Sequence, residues 1–308
     1  MLTYIVRRLI QGAITIFVVS FLTFSMLHIA PGDPVDAFIG DRPVGQEQVD
    51  ALRERWGLNR PFHVQYVTWL GNMARGDFGD SMMRPGQTVN EMIWIAAKPT
   101  TYLNIAALIV SVCIALPLGI LAGVRRYSRL DYGSMVGSTL GICIPNYWLG
   151  LMLILVFAIW VDWVPTSGVR EWTGWILPVL VLATEQAALL ARLMRSSTIE
   201  VLNQDFVRTA RAKGLREIIV IVRHAVRNAL LPITTVIGYR VAFLLSGTIV
   251  IEQVFAIPGI GRLFISSVYQ NDHQVVQAIV LLFAILVIVS NILTDILYAV
   301  IDPRIRLD

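Results

Sequence analysis

The chain has 308 residues, of which 56% are hydrophobic and 15% charged, with a formal net charge of +4. Soluble domains carry roughly a quarter of their residues as charges, so this composition excludes an ordinary soluble enzyme or binding domain and points to a membrane-embedded chain. Apolar runs at about 9–30, 102–124, 134–161, 175–191, 229–251 and 275–301 predict six transmembrane helices. At about 1.5 Å per residue, each is long enough to cross or nearly cross a hydrocarbon layer of about 30 Å.

The first run follows Arg7 and Arg8, as in a signal peptide, but it is longer than a signal core and no small-x-small cleavage site follows it. It reads as a retained helix. Residues 31–99 are too polar to cross a bilayer and too patterned for a linker. QEQVDALRERW (46–56) predicts a short helix stopped by Gly57, with Pro61 beyond, and FHVQYVTWLGNMA (62–74) predicts a second one before Gly76, the pattern that closes helices. The segment therefore reads as a small helical cap between the first and second spans. Its GDFGD stretch (76–80) contains the triplet Asp77, Phe78, Gly79 found in kinases, but no phosphate loop or catalytic-loop motif accompanies it, which excludes a kinase.

Cys113 and Cys143 fall inside apolar runs, so they are expected to be buried packing residues rather than a disulfide. Pro99, Pro117, Pro145, Pro178 and Pro232 lie in or at the ends of spans, where proline bends a helix whose freed carbonyls its neighbours must satisfy. Lys and Arg in short loops resist translocation. Arg7 and Arg8, Arg125, Arg126 and Arg129, the run from Arg192 to Arg227, and Arg304 and Arg306 share one side of the six-span arrangement; the short loops near 162–174 and 252–274 carry only Arg170 and Arg262. Both termini are thus expected in the cytoplasm and the 31–99 cap outside. The chain divides into a first segment (1–30), the cap (31–99) and a five-helix core (100–308) with a cytoplasmic loop at about 192–228.

That loop contains QDFVRTARAKGLREIIVIVRHAVRNALLP (204–232), with six basic residues, Arg208, Arg211, Lys213, Arg216, Arg223 and Arg227, against Asp205 and Glu217. Asp205 is expected to cap a short helix through Lys213, which Gly214 closes. Beyond the glycine, Leu215, Ile218, Ile219, Val222, Val226 and Ala229 fall at helical spacing on one apolar stripe, with Arg216, Arg223 and Arg227 on another face. Ala210, Ala212 and Gly214 leave a surface of small residues that another protein can approach closely. A basic amphipathic helix also suits an anionic lipid surface, and composition alone does not separate the two. Inside the spans, Arg240 needs compensation near the bilayer centre. Glu185 and Asp295 lie at similar depths, so Arg240 either pairs with one of them or faces a translocation pathway.

Residue order separates the loop readings. RTARAKGL (208–215) resembles the EAA-type cytoplasmic loop of ABC importer permeases. HIAPGDP (28–34), WGLNRPFHVQY (56–66), GDFGDS (76–81), QVFAIPGIGRLF (253–264) and DILYAVIDPRIR (295–306) resemble the inner-membrane permeases of dipeptide and oligopeptide ABC importers. In the generic loop pattern a Glu-Ala pair opens the motif and a proline follows the glycine. Here Arg208 and Thr209 open it and the proline comes later, at Pro232, as in the peptide-importer branch.

The resemblance implies an all-α polytopic membrane protein with the type I ABC importer permease fold, located in the bacterial cytoplasmic membrane. It implies that Asp205, Arg208, Thr209, Ala210, Arg211, Ala212, Lys213, Gly214, Leu215 and Arg216 dock an ATPase. The implied partners are a second homologous permease forming a heterodimer, two ATPase subunits, an extracytoplasmic substrate-binding protein received by the cap, and membrane lipid, with no nucleic acid. The implied cargo is a di- or oligopeptide, with nickel, glutathione or another small solute as the alternative within the family. The chain lacks a G-x-x-x-x-G-K-[ST] loop, so it is expected to be no enzyme and to bind no cofactor, with ATP and Mg²⁺ held by the partner ATPases. An ion-coupled secondary transporter using Glu185 and Asp295 would leave the docking loop without a purpose. A metalloprotease would need H-E-x-x-H, which is absent, and an intramembrane aspartyl protease would need two facing aspartates where the predicted spans contain only Asp295.

Overall fold

A computed structural model describes residues 2–29, 34–39, 45–242 and 248–301. Among these residues the chain is all-α, apart from an isolated bridge between Asp80 and Thr88. In chain order the helices begin with α1 (Leu2–Ile29), α2 (Pro34–Ile39), α3 (Gln46–Arg55), α4 (Phe62–Ala74), α5 (Val89–Val124), α6 (Arg129–Cys143) and α7 (Asn146–Leu153). There follow α8 (Ile176–Leu202), α9 (Asp205–Ala212), α10 (Glu217–Ile219), α11 (Arg227–Ala229), α12 (Leu231–Ala242), α13 (Ile249–Val254), α14 (Ile260–Tyr269) and α15 (His273–Ile301). Among the described residues four helical segments, Arg7–Ser25, Val89–Val124, Trp172–Leu202 and His273–Ile292, are long and apolar enough to cross a membrane, or six if each of two bent pairs counts as one span.

The chain forms two compact units. One comprises the described residues up to Pro99 together with Pro258–Ile292; the other comprises those of Thr100–Ile257 and the end of α15 from Leu293. In the first unit, α3 and α4 lie where the sequence predicts them, with Pro61 opening α4. α4 buries Tyr66, Trp69 and Met73. Its Tyr66 ring stands edge-on to Phe21 and Phe24 of α1 at 5.5 and 5.4 Å, and Trp69 is 5.5 Å from Phe24. Such aromatic pairs contribute about 0.5–1.5 kcal/mol each beyond the area they bury. The Tyr66 hydroxyl is satisfied by Ser20 Oγ at 2.9 Å. After α4 the GDFGDS stretch turns tightly. The fully buried Asp272, just before α15, accepts hydrogen bonds from Ser81 Oγ and from the Met82 amide at 3.2 Å, which anchors the turn.

In the second unit, the predicted run 134–161 is not one straight span. α6 and the helix from Asn146 to Trp160 meet at 101°. Steric conflict with a following proline drives a residue out of the helical region; Ile144 is extended (φ −78°, ψ 122°) and Pro145 opens α7. Beyond α7 the chain widens into a π-helix, Ile154–Trp160. α8 continues to Leu202, well past the expected end at 191, so the first part of the basic loop is helix. Within the predicted run 229–251, α12 is described as far as Ala242, residues 243–247 lie outside the described residues, and α13 starts after Thr248.

Two larger apolar clusters among the described residues hold this unit. One joins Leu103 and Ala107 of α5 to Leu177, Val181 and Leu182 of α8 and to Ile251. The other joins Ala115, Leu190, Met194, Ala229 and Ile233. Cys113 and Cys143, expected inside, are exposed on the surface of the chain. An apolar residue in a membrane helix has no need to face protein, because lipid is as apolar as the core.

A buried ion pair ties α6 to α8. Arg195 donates from Nε to Asp131 Oδ1 and from a terminal nitrogen to Oδ2 at 2.8 Å, while the Tyr127 amide donates to Oδ2 at 2.9 Å. The Asp131 side chain is 3% exposed and that of Arg195 22%. Removing one member of a buried pair leaves an uncompensated charge, and the residual solvation of Arg195 moderates the loss. Asp131→Ala is therefore expected to cost about 2 kcal/mol, read as a lower melting temperature of the purified chain. Asp131→Leu combined with Arg195→Met should recover most of it.

Candidate functional site

After α8 the chain turns at Asn203 and Gln204 into α9. Gln204, extended at φ −73° and ψ 151°, occupies the cap position, and Asp205 is the first helical residue rather than the cap. Its charge there still complements the helix dipole. It pairs with Arg208 at 3.5 Å, but side chains 95% and 72% exposed make such a pair worth little. Thr209 Oγ1 donates to the Asp205 carbonyl at 3.0 Å. Val207 and Ala210 turn inward and pack with Val220, so Ala210 belongs to the core of this hairpin and not to the small-residue surface. Ala212, Lys213, Gly214, Leu215 and Arg216 are exposed.

Gly214 makes the corner. Its φ is +77°, a conformation that costs L side chains strain, and a Cβ built there would meet nothing of this chain within 4 Å. Across the corner Arg211 grips Glu217 in a fork, Nε to Oε2 at 3.1 Å and a terminal nitrogen to Oε1 at 2.7 Å. These two bonds hold the Glu217 carboxyl below its ordinary pKa. The fork joins the end of α9 to the start of α10 and fixes the angle between them.

Beyond the corner α10 passes into a π-helix, Val220–Val226, and then α11. A π-helix closes i→i+5 hydrogen bonds, and its wider turn changes the register that the sequence predicts. Val220, Ala225 and Ala229 are fully buried. Of the expected stripe, Leu215, Ile218, Ile219 and Val222 stay exposed, Ile218 by 63% and Val222 by 59%, while Val226 and Ala229 join the second apolar cluster. Arg216, Arg223 and Arg227 are exposed. The helical stretch Glu217–Ala229 and α12 then meet at 46° across Leu230, with Pro232 in the first turn of α12. The outcome is a fixed corner followed by an uncovered face that is apolar on one side and basic on another.

Of the three charges expected within the membrane, the side chains of Glu185 and Arg240 are described. Glu185 Oε2 accepts from Asn146 Nδ2 at 2.6 Å, just after the α6–α7 break. Arg240 is half-buried, with no hydrogen-bond or ion-pair partner among the described residues. The side chain of Asp295 lies outside the described residues. Sequence reasoning missed the Asp131–Arg195 pair. It also missed Glu252, which is fully buried in the second unit and accepts from Thr100 Oγ1 at 2.7 Å and Thr248 Oγ1 at 2.8 Å. A carboxylate adjoining an apolar run was the only available signal for either. Among the described residues no group of three His, Cys, Asp or Glu is placed to hold a metal ion.

The chain is similar over its whole length to known transport proteins. The oligopeptide transport system permease protein AppB of Bacillus subtilis (strain 168) is 41% identical over 316 aligned residues, covering 99% of this chain and 100% of the relative. The glutathione transport system permease protein GsiC of Escherichia coli (strain K12) is 40% identical over 308, covering 99% of each. The family model for the N-terminal part of binding-protein-dependent transport system membrane components matches residues 1–85. That for the binding-protein-dependent transport system inner membrane component matches residues 115–307, which include the Gly214 corner and the bent helices around it. With nearly two thirds of the chain under that one model and full-length relatives on either side of it, the chain belongs to the family of binding-protein-dependent transport system inner membrane components.

Proposed function

We propose that the chain is the membrane-spanning permease of an ATP-driven importer of di- or oligopeptides. An extracytoplasmic binding protein delivers the peptide to the 31–99 cap, a related second permease completes a heterodimer, and two ATPase subunits supply ATP and Mg²⁺. The observation that carries the reading is the corner at Gly214, held by Arg211 and Glu217 beside the exposed Ile218 and Val222. Exposed apolar residues beside a basic rim at a fixed corner suit a soluble subunit docking on the cytoplasmic side. The peptide cargo follows the oligopeptide permease named above. Glutathione, itself a modified tripeptide, is the second reading, favoured by the similarity to GsiC.

Ile218→Glu with Val222→Glu tests the docking half. Both side chains are exposed, so the melting temperature of the chain alone should stay within about a degree or two of wild type. Copurification of the ATPase should drop by at least about tenfold, since two apolar contacts of roughly 1 kcal/mol each are lost and two carboxylates face the partner. Undiminished copurification rejects this face as the docking surface. Competition between labelled trialanine and glutathione in whole-cell uptake then assigns the cargo.

A further inference from the structure

Within the first unit lies a cleft of about 890 Å³, walled by the end of α3 and the turn after it, by α4, by the 77–86 turn and by the first turns of α15. That size is in the range of small-ligand sites, roughly 300–1,000 Å³, which combine apolar walls with a few polar groups that fix orientation. Phe24, Trp56 and Trp69 supply apolar walls. Two polar groups are uncommitted. Gln277 is 6% exposed, lines the cleft, and has no hydrogen-bond partner among the described residues. Trp69, 8% exposed, also lines it, and its Nε1–H is buried without a partner. Buried amide and indole groups ordinarily find partners, because an unmade bond costs about the desolvation of the group. An arrangement that withholds them is suited to a ligand that supplies both donors and acceptors.

The charges around the cleft are balanced and segregated along the chain. Arg53, Arg55 and Arg60 come from the end of α3 and the following turn, with Glu54 among them; Asp77 and Asp80 come from the turn after α4. Asp77 spends Oδ1 on the Gly79 amide at 2.9 Å, while the exposed Asp80 carboxylate makes no hydrogen bond. A ligand with a cationic end, an anionic end and amides between them matches this lining. A metal ion, a polyanion or a purely apolar molecule does not.

We propose that the cleft is a peptide-binding subsite on the permease itself. It takes short zwitterionic peptides, with the ammonium end towards Asp77 and Asp80, the carboxylate end towards the arginines, and the backbone amides on Gln277. The assignment rests on the reading of the chain as a peptide permease and places a holding site on the permease in addition to the one on the binding protein.

The test uses the full-length chain in lipid nanodiscs with no binding protein present, titrated calorimetrically with trialanine. Saturable binding is expected. N-acetyl-trialanine amide, which lacks both terminal charges, should bind at least about tenfold more weakly, as should Gln277→Leu, which removes the amide at nearly constant volume. Asp80→Asn repeats the test at an exposed side chain whose loss does not threaten the fold, and should weaken trialanine while leaving the capped peptide unchanged. No saturable binding by the folded wild type, or equal binding by both variants, overturns the proposal. Trialanine uptake by the intact importer is measured alongside. Uptake without binding to the chain rejects the cleft and leaves the permease reading standing, whereas failure to import any peptide rejects that reading and the subsite with it.

Discussion

Gly214→Trp is expected to stop uptake while leaving the chain folded in the membrane. The reasoning begins with conformation. At φ +77° the corner charges an L residue about 1–2 kcal/mol in backbone strain, a cost that an exposed turn clamped by Arg211 and Glu217 can absorb. Nothing of this chain lies within 4 Å of a Cβ at that position, so the indole meets no internal neighbour. What it does meet is whatever docks on the corner. A loss of roughly 2.7 kcal/mol there lowers coupled uptake about a hundredfold. Gly214→Asn separates strain from obstruction, because asparagine tolerates the left-handed conformation and is small; it should transport at close to the wild-type rate. Uptake and ATPase copurification are measured for both. Wild-type transport by the tryptophan variant would remove the corner from the docking surface.

The second large effect lies within the membrane. Gly119 and Gly123 are four residues apart on α5 and face α8. A Cβ at Gly119 would sit 2.7 Å from the Ala191 carbonyl oxygen and 2.6 Å from Met194 Cβ; one at Gly123 would sit 2.7 Å from Thr198 Cβ and 3.0 Å from the Arg195 carbonyl oxygen. Small residues at this spacing let two backbones touch, and in lipid that close packing is a principal attraction between helices. Backbone atoms cannot rotate away as a side chain can. Gly119→Ala is accordingly expected to cost about 1–3 kcal/mol, and Gly119→Leu more than about 3, enough to lose most of the folded chain. Gly133→Ala is the control. Its Cβ meets nothing within 4 Å, so only helix propensity changes, in the stabilising direction by roughly 0.5–1 kcal/mol. Melting of the three purified variants decides the matter, and equal stability of Gly119→Ala and Gly133→Ala would show that α5 and α8 can separate without cost.

Much of the candidate site was legible because the signals were local. The corner at Gly214, the helix before it and the uncovered apolar residues after it follow from a glycine in its place and a run at helical spacing. The mistakes began where one element had to choose its neighbour. Ala210 looked like a surface residue and packs inward on Val220. The stripe expected from a 3.6-residue period was split by the π-turn at Val220–Val226, which brings Val220 and Ala225 to the buried side and leaves Ile218 and Val222 outside.

What the sequence by itself determined was the class of molecule and the stopping points of its helices. Low charge with six long apolar runs demanded a membrane, and Pro61 and Gly214 mark helix ends through restrictions that each imposes on its own backbone. Tertiary structure alone decided the partners. Asp131 and Arg195 are separated by 64 residues and Ser81 and Asp272 by 191, distances over which no local pattern carries information. Tertiary packing likewise decided that Glu185 meets Asn146, just after the bend that Pro145 makes. It also placed Cys113 and Cys143 on the surface. In water, hydrophobicity separates inside from outside. In lipid both sides of a helix are apolar, so which face meets protein depends on where small residues and buried polar pairs allow another helix to approach.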